Sequence, residues 1–560
     1  KRLGRHDEAL ELLREACERM PRDPKAHYHL GRTYDALGRA DEALGAYRKA
    51  ANLDRREPIY RLELGRAAHG LGRLNEAETE TWRALQLNHD DPAIRAQLGA
   101  IAEAKGNLDE ALSQYQRAAE LEPKRAQYQK KLAELHGRKG QRDEAKRALE
   151  QGLRTDPQDA DLYNELGQLD WENGEHEKAL EMFDRAVDLR PKEARYHLNR
   201  AALRKEMGRV DEAVRGLEKT IQLDEESAEA YHQLGSVLAL QGRKDEALRA
   251  YRTALELSPE SPGTYFDYGR YCQRLGDPVE AISALKHAQS LAENGQKAAW
   301  PEVHYALGQA YETKGDLKAA LQSYGRAAEL APQDVSYGRA IGRAYRGLGR
   351  IDDAIAQLEE AVAGAPEDAS LRAELADTFA GKGWLLEALD QYQNAVRLAP
   401  DNVGYHRQVG TTLRELGEYE QAVEALEEAV GVDPEEPRVH YELGRTYSCM
   451  GREYEAVAEY RKAAELADDE PVYHLHLAEA LRGVGEIDEA VDALYTAIEL
   501  DPEDARAHYR LGLLLAQEGD YEGALEAYRE AAAIDPNDAE VLRRIGAALC
   551  NLDDYEQATD

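Results

Sequence analysis

Three sets of side chains in this sequence are of types, and at spacings, that could do chemistry. Seven histidines, His27, His197, His304, His406, His440, His474 and His508, fall at matching points of a recurring pattern, the last four in consecutive units of it. Imidazole is a common metal ligand, so such a ladder suggests a metal site. Equivalent residues on stacked helices are nevertheless held roughly 8–10 Å or more apart, whereas a zinc–nitrogen bond is about 2.0–2.1 Å. One ion cannot bridge them, and the histidines read as packing residues. Carboxylates cluster at Asp90–Asp91 and at Asp468–Asp469–Glu470. They lack the ordered ligand spacing of a calcium loop and read as capping or solvated groups. The third set is twelve arginines at recurring points of the same pattern, from Arg339 to Arg544, whose geometry suits bidentate contacts to carboxylate or phosphate.

Nothing resembling an active centre accompanies them. There is no nucleophile–base arrangement, Gly-rich phosphate loop or nucleotide fingerprint. Cys17, Cys272, Cys449 and Cys550 form no CxxC pair, which argues against a zinc site or disulfide framework and points to a reducing, cytoplasmic interior. The expectation is a chain with no catalytic residues, no cofactor and no metal of its own, although a catalytic domain beyond either end stays open. The formal charge of −36 argues against general binding to nucleic acid or anionic membrane. No apolar run reaches the roughly 20 residues that span a bilayer.

The elements that position these residues follow from a period. Ala505–Asp538 reads as two amphipathic helices of about 13 residues, separated by Gly519 and closed by Pro536. The same skeleton recurs in steps of 34. A small residue stands eighth in each unit, from Gly31, Gly65 and Gly99 to Ala478, Gly512 and Gly546, and an alanine twentieth, from Ala9 and Ala43 to Ala524 and Ala558. Small residues there let the two helices approach closely, and no unit can bury its apolar face alone. Asp159, Asp368, Asp504 and Asp538 precede first helices and read as N-caps.

This pattern resembles the tetratricopeptide repeat family, with Leu at 7, Gly or Ala at 8, Ala at 20 and 27 and Pro at 32, over essentially the whole chain. The resemblance implies an all-α, right-handed superhelical solenoid of stacked antiparallel helix pairs. We expect a lone second helix over 1–23, repeats 1–8 over 24–300, repeats 9–15 over 301–538 and an incomplete repeat over 539–560. Both ends stop inside a repeat, which suggests further chain or another molecule covering the exposed seams. Two irregularities stand out. Five residues are inserted around Asn294–Trp300, read as a second helix one turn longer or as a hinge. Position 24 alternates between aromatics (Tyr47, Tyr115, Phe183, Tyr251, Tyr324, Tyr392, Tyr460, Tyr528) and mostly leucine, so the duplicated unit looks like a pair of repeats.

In the family, ligands lie in a concave groove lined by positions 2, 5, 6, 9 and 12 of each first helix. The Asn ladder of sugar-transferring relatives and the two-carboxylate clamp of chaperone-binding relatives are both absent; the nearest approach to the clamp is Lys130 with Glu134. What those positions do show is charge sorting. From Val335 onward they hold twelve bases, Arg339, Arg343, Arg346, Arg407, Arg414, Arg438, Arg445, Arg482, Arg506, Arg510, Arg543 and Arg544. Against them stand five acids, Glu374, Asp377, Glu442, Glu479 and Glu540. The sequence therefore points to a protein-interaction scaffold whose groove takes a protein or peptide segment, acidic and extended, or an acidic stretch of another copy. It does not point to nucleic acid or membrane insertion. A subunit of a filament or lattice, or the recognition arm of a larger enzyme, are the alternatives.

Overall fold

The structure, a computed structural model, describes residues 2–294 and 300–552. The insertion expected around Asn294–Trp300 lies for the most part outside the described residues. Among those described, the regular elements are 32 α-helices. The chain divides into two compact units, one ending at Thr264 and the other beginning at Tyr265. In each unit, first helices such as Pro24–Ala36 and Pro301–Thr313 alternate with slightly longer second helices such as Ala40–Leu53 and Leu317–Leu330.

The helix ends are written in the local sequence. Asp159, Asp368, Asp504 and Asp538 accept hydrogen bonds from backbone N–H groups of the first turn that follows each of them. Proline opens the helices at Pro24, Pro58, Pro301, Pro437 and Pro471, where its missing N–H costs nothing. Each complete pair turns on a glycine in the left-handed region, such as Gly417 at φ 84°. Its N–H and that of Glu418 return to the carbonyls of Arg414 and Leu413, closing the helix with bonds that solvent would otherwise have to supply.

Within a pair the helices meet at the eighth residue. A Cβ added to Gly308 would stand 2.4 Å from the Tyr324 ring, and one on Gly410 2.4 Å from Leu426. Where the eighth residue is Ala201 instead, the space comes from the opposite helix, at Gly216. The alternating tyrosines complete a second layer. Tyr305 lies 5.5 Å from Tyr324 and 5.2 Å from Tyr337 of the next repeat, and Tyr441 repeats this with Tyr460 at 5.9 Å and Tyr473 at 5.1 Å. In the first unit Tyr28 does the same with Tyr47 and Tyr60. Each triad spans one seam of a two-repeat unit, which gives the alternation an internal packing role. Beside the insertion, the second helix Pro278–Asn294 is 17 residues long, and the Trp300 ring packs 4.9 Å from Phe266.

Candidate functional site: the arginine-lined groove

The twelve arginines separate by what faces them. Arg339 donates from Nε and Nη2 to Glu374, at 2.9 and 2.6 Å. Arg414 reaches Glu442 at 3.0 Å, and Arg445 shares that carboxylate at 3.4 Å. Arg510 meets Glu479 at 2.9 Å. Arg543 and Arg544 close on Glu540 at 2.8 and 2.9 Å, and their hydrogen bonds pull its carboxyl down to about 2. Arg506 turns outward to its own N-cap, Asp504. Among the described residues, Arg343, Arg346, Arg407, Arg438 and Arg482 have no carboxylate within ion-pair distance.

All five groove acids of this stretch are engaged: four by these arginines, and Asp377 by the hydroxyl of Tyr392. The five unpaired guanidiniums therefore stand among groove acids that each already have a partner. Two cavities concentrate that character. One, about 360 Å³, draws Arg414, Arg445, Arg482 and Arg510 from four successive first helices, with Tyr460 and His476 beside them. The next, about 490 Å³, is lined by Arg482, Arg544, Ala516 and Tyr528. Arg482 belongs to both. Tyr460 and Tyr528, on second helices, were not among the expected groove residues, because they belong to the packing position 24.

The histidine ladder takes a different role. His27, His197, His406, His440 and His508 each donate from Nε2 to the carbonyl of a proline six residues earlier, at 2.9–3.1 Å, and His474 does so to Asp468. Each ring thus ties the loop between repeats to the helix that follows. The sequence signal was present as a recurring Pro-x5-His spacing. Among the described residues no group of three His, Cys, Asp or Glu side chains is arranged to hold a metal ion, and no helix is long and apolar enough to cross a membrane.

Stacked antiparallel helix pairs with this turn and this close approach define a helical repeat protein that presents a surface along its first helices. Tetratricopeptide repeat models match residues 2–61, 93–125, 130–194, 192–260, 226–294 and 301–334. The chain belongs to the tetratricopeptide repeat family. Residues 338–542 match the model of the cilia and flagella-associated protein 70 C-terminal domain. Similar solved structures include the APC/C Cut9–Hcn1 hetero-tetramer, at 16% identity over 88% of this chain and 98% of that one, TM-score 0.39. Yeast Tom70 is similar at 18% identity over 78% and 97%, TM-score 0.35. MamA from Desulfovibrio magneticus RS-1 is similar at 20% identity over 30% and 97%, TM-score 0.29. No curated protein sequence matches significantly.

Proposed function

We propose that the chain is a non-catalytic scaffold or adaptor whose groove between Arg339 and Arg544 receives an extended acidic segment of a partner protein. The observation that carries this reading is the set Arg343, Arg346, Arg407, Arg438 and Arg482. These lack carboxylate partners, while each of the five groove acids already has one, in a chain of formal charge −36. A basic strip surrounded by negative surface attracts anions locally and rejects polyanions too long or too wide for it, which disfavours nucleic acid. A segment entering the groove replaces solvent around guanidiniums with carboxylates, and such contacts contribute more when desolvated than at an open rim.

A second reading, a subunit of a larger structural assembly, draws on one observation. The model named for a cilia and flagella-associated protein falls on 338–542, almost the same stretch as the arginines. Selection from a random peptide library on the immobilised chain tests the first reading. Asp- and Glu-rich sequences should be enriched, and the enrichment should vanish in an Arg343→Glu, Arg407→Glu, Arg482→Glu variant. An enriched set with no acidic bias would contradict it.

A further inference from the structure

In some of the repeats that carry tyrosine at position 24, the hydroxyl donates to an acid on the facing first helix. Tyr47 donates to Asp35 and Tyr324 to Glu312, both at 2.6 Å, and both acids stand at position 12. Tyr392 uses Asp377 instead. In the repeat beginning at Ala505 position 12 is Ala516, and the Tyr528 hydroxyl is left buried with no hydrogen-bond partner. An unmade bond at a buried donor costs about 1–3 kcal/mol, so such a group needs an account. The space the missing carboxylate would occupy is the 490 Å³ cavity, whose walls include Ala516, Tyr528, Arg544 and the unpaired Arg482.

Two repeats earlier the substitution recurs. Position 12 is Ser448 and not an acid, and Tyr460 and Ser448 line the cavity into which Arg414, Arg445, Arg482 and Arg510 project. Glu453 and Glu479 also line it, so four guanidiniums face two carboxylates there. The Arg414 side chain is 9% exposed, yet its Nε has no partner beyond what Glu442 gives the other end of the guanidinium.

Resting on the groove reading above, we propose that these two cavities are paired carboxylate subsites. Each takes one Asp or Glu side chain of the bound segment, and the carboxylate in the second cavity supplies Tyr528 with the acceptor that Asp35 and Glu312 supply within the chain. Arg482, on the wall shared by both, sets the register. First helices of neighbouring repeats pack roughly 10 Å apart, so sites two repeats apart are separated by roughly twice that. An extended strand advances about 3.3 Å per residue. The two acids are therefore about six residues apart in the partner.

The test uses the full chain and a fluorescein-labelled Gly/Ser peptide series in which the spacing of two glutamates is stepped, with the glutamine counterparts as controls. Binding should peak at a spacing of about six residues, and Tyr528→Phe should weaken it about tenfold, the loss expected for one hydrogen bond to a charged group. Ala516→Glu places at position 12 an acid like those that Tyr47 and Tyr324 meet there. It should slow hydrogen exchange in the Ala505–Gln517 and Tyr521–Ile534 helices and at the same time abolish the spacing preference. Slower iodoacetamide labelling of Cys449, exposed on the first cavity's wall, should report occupancy there while Cys550 labels unchanged. If acidic peptides bind with no spacing preference and Ala516→Glu binds them as well as the wild type, the paired subsites are wrong and the groove reading survives. If no acidic peptide binds the wild type, both are wrong.

Discussion

Arg414 and Glu442 face each other at 3.0 Å from successive first helices, each with about nine-tenths of its side chain buried, and Arg445 leans on the same carboxylate from the solvent side. A single acid thus answers two groove arginines. Removing Arg414 leaves a buried charge, and breaking a buried pair costs on the order of 3 kcal/mol. Removing Arg445, which is 38% exposed, costs about 0–1 kcal/mol. Arrays of repeats lose structure segment by segment, so a single melting temperature is a poor readout. Hydrogen exchange is the better measure. Arg414→Ala should speed exchange in the Val403–Leu416 and Pro437–Cys449 helices, and Arg445→Ala should barely change it. Equal effects would mean the pair is not buried as described. For the same reason, reversing Arg414 is a poor probe of binding, whereas Arg343, Arg407 and Arg482 are free of this structural duty.

The close approach at the eighth residue makes two glycine substitutions behave oppositely. Gly308→Ala drives a methyl to 2.4 Å of the Tyr324 ring and should cost about 1–3 kcal/mol as overpacking. Gly325→Ala, within the second helix of the same repeat, meets nothing within 4 Å and should stabilise it by about 0.5–1 kcal/mol through the unfolded chain. Urea unfolding of the two variants, followed by exchange in the Pro301–Thr313 helix, checks the contrast. Stabilisation by both would show that the helices can separate at no cost.

Two histidines of the ladder should titrate in opposite directions. The hydrogen bond with Glu459 at 2.7 Å lifts His440 above its ordinary range, against the opposing pull of its burial and of Lys462. Its contribution is full below about pH 6.5 and is lost as pH rises through the folded value. Burial lowers His197, whose neutral form is favoured, so its repeat loses stability as pH falls below about 6.5 toward that depressed value. Titration of the imidazole NMR signals, with His440→Gln and His197→Gln to assign them, should separate the two. Superimposed titrations would contradict both environments.

How far the sequence could be read depended on where each interaction closes. The helix pairs were legible because turn glycine, eighth residue and N-cap aspartate all act within one unit; Gly417, Gly410 and Asp368 each do locally what their types suggest. The alternation at position 24 was visible, but its cause was not, since Tyr324 finds Tyr305 on its own pair and that ring finds Tyr337 on the next. The groove arginines could be counted but not sorted. Arg339 pairs 35 residues ahead, Arg414 28 ahead, and Arg510 with a glutamate on the preceding repeat, so each outcome depends on neighbouring side-chain rotamers. The orphaned Tyr528 hydroxyl was invisible for the same reason. Only the facing helix shows that Ala516 stands where the repeats of Tyr47 and Tyr324 carry Asp35 and Glu312.

Whether the arginine groove captures an acidic segment is decided by titrating a labelled acidic peptide, taken from the library selection, against three forms of the full chain at stepped salt concentrations. These are the wild type, Arg343→Glu with Arg407→Glu and Arg482→Glu, and a control reversing Lys25, Arg32 and Arg66 in the first unit. Partly exposed charge contacts are screened over about 8–10 Å at physiological ionic strength. Wild-type affinity should fall steadily with salt, the first triple variant should not bind, and the control should bind like the wild type, with unchanged helicity in all three. Equal behaviour of the two triple variants, or affinity indifferent to salt, would contradict capture by the groove.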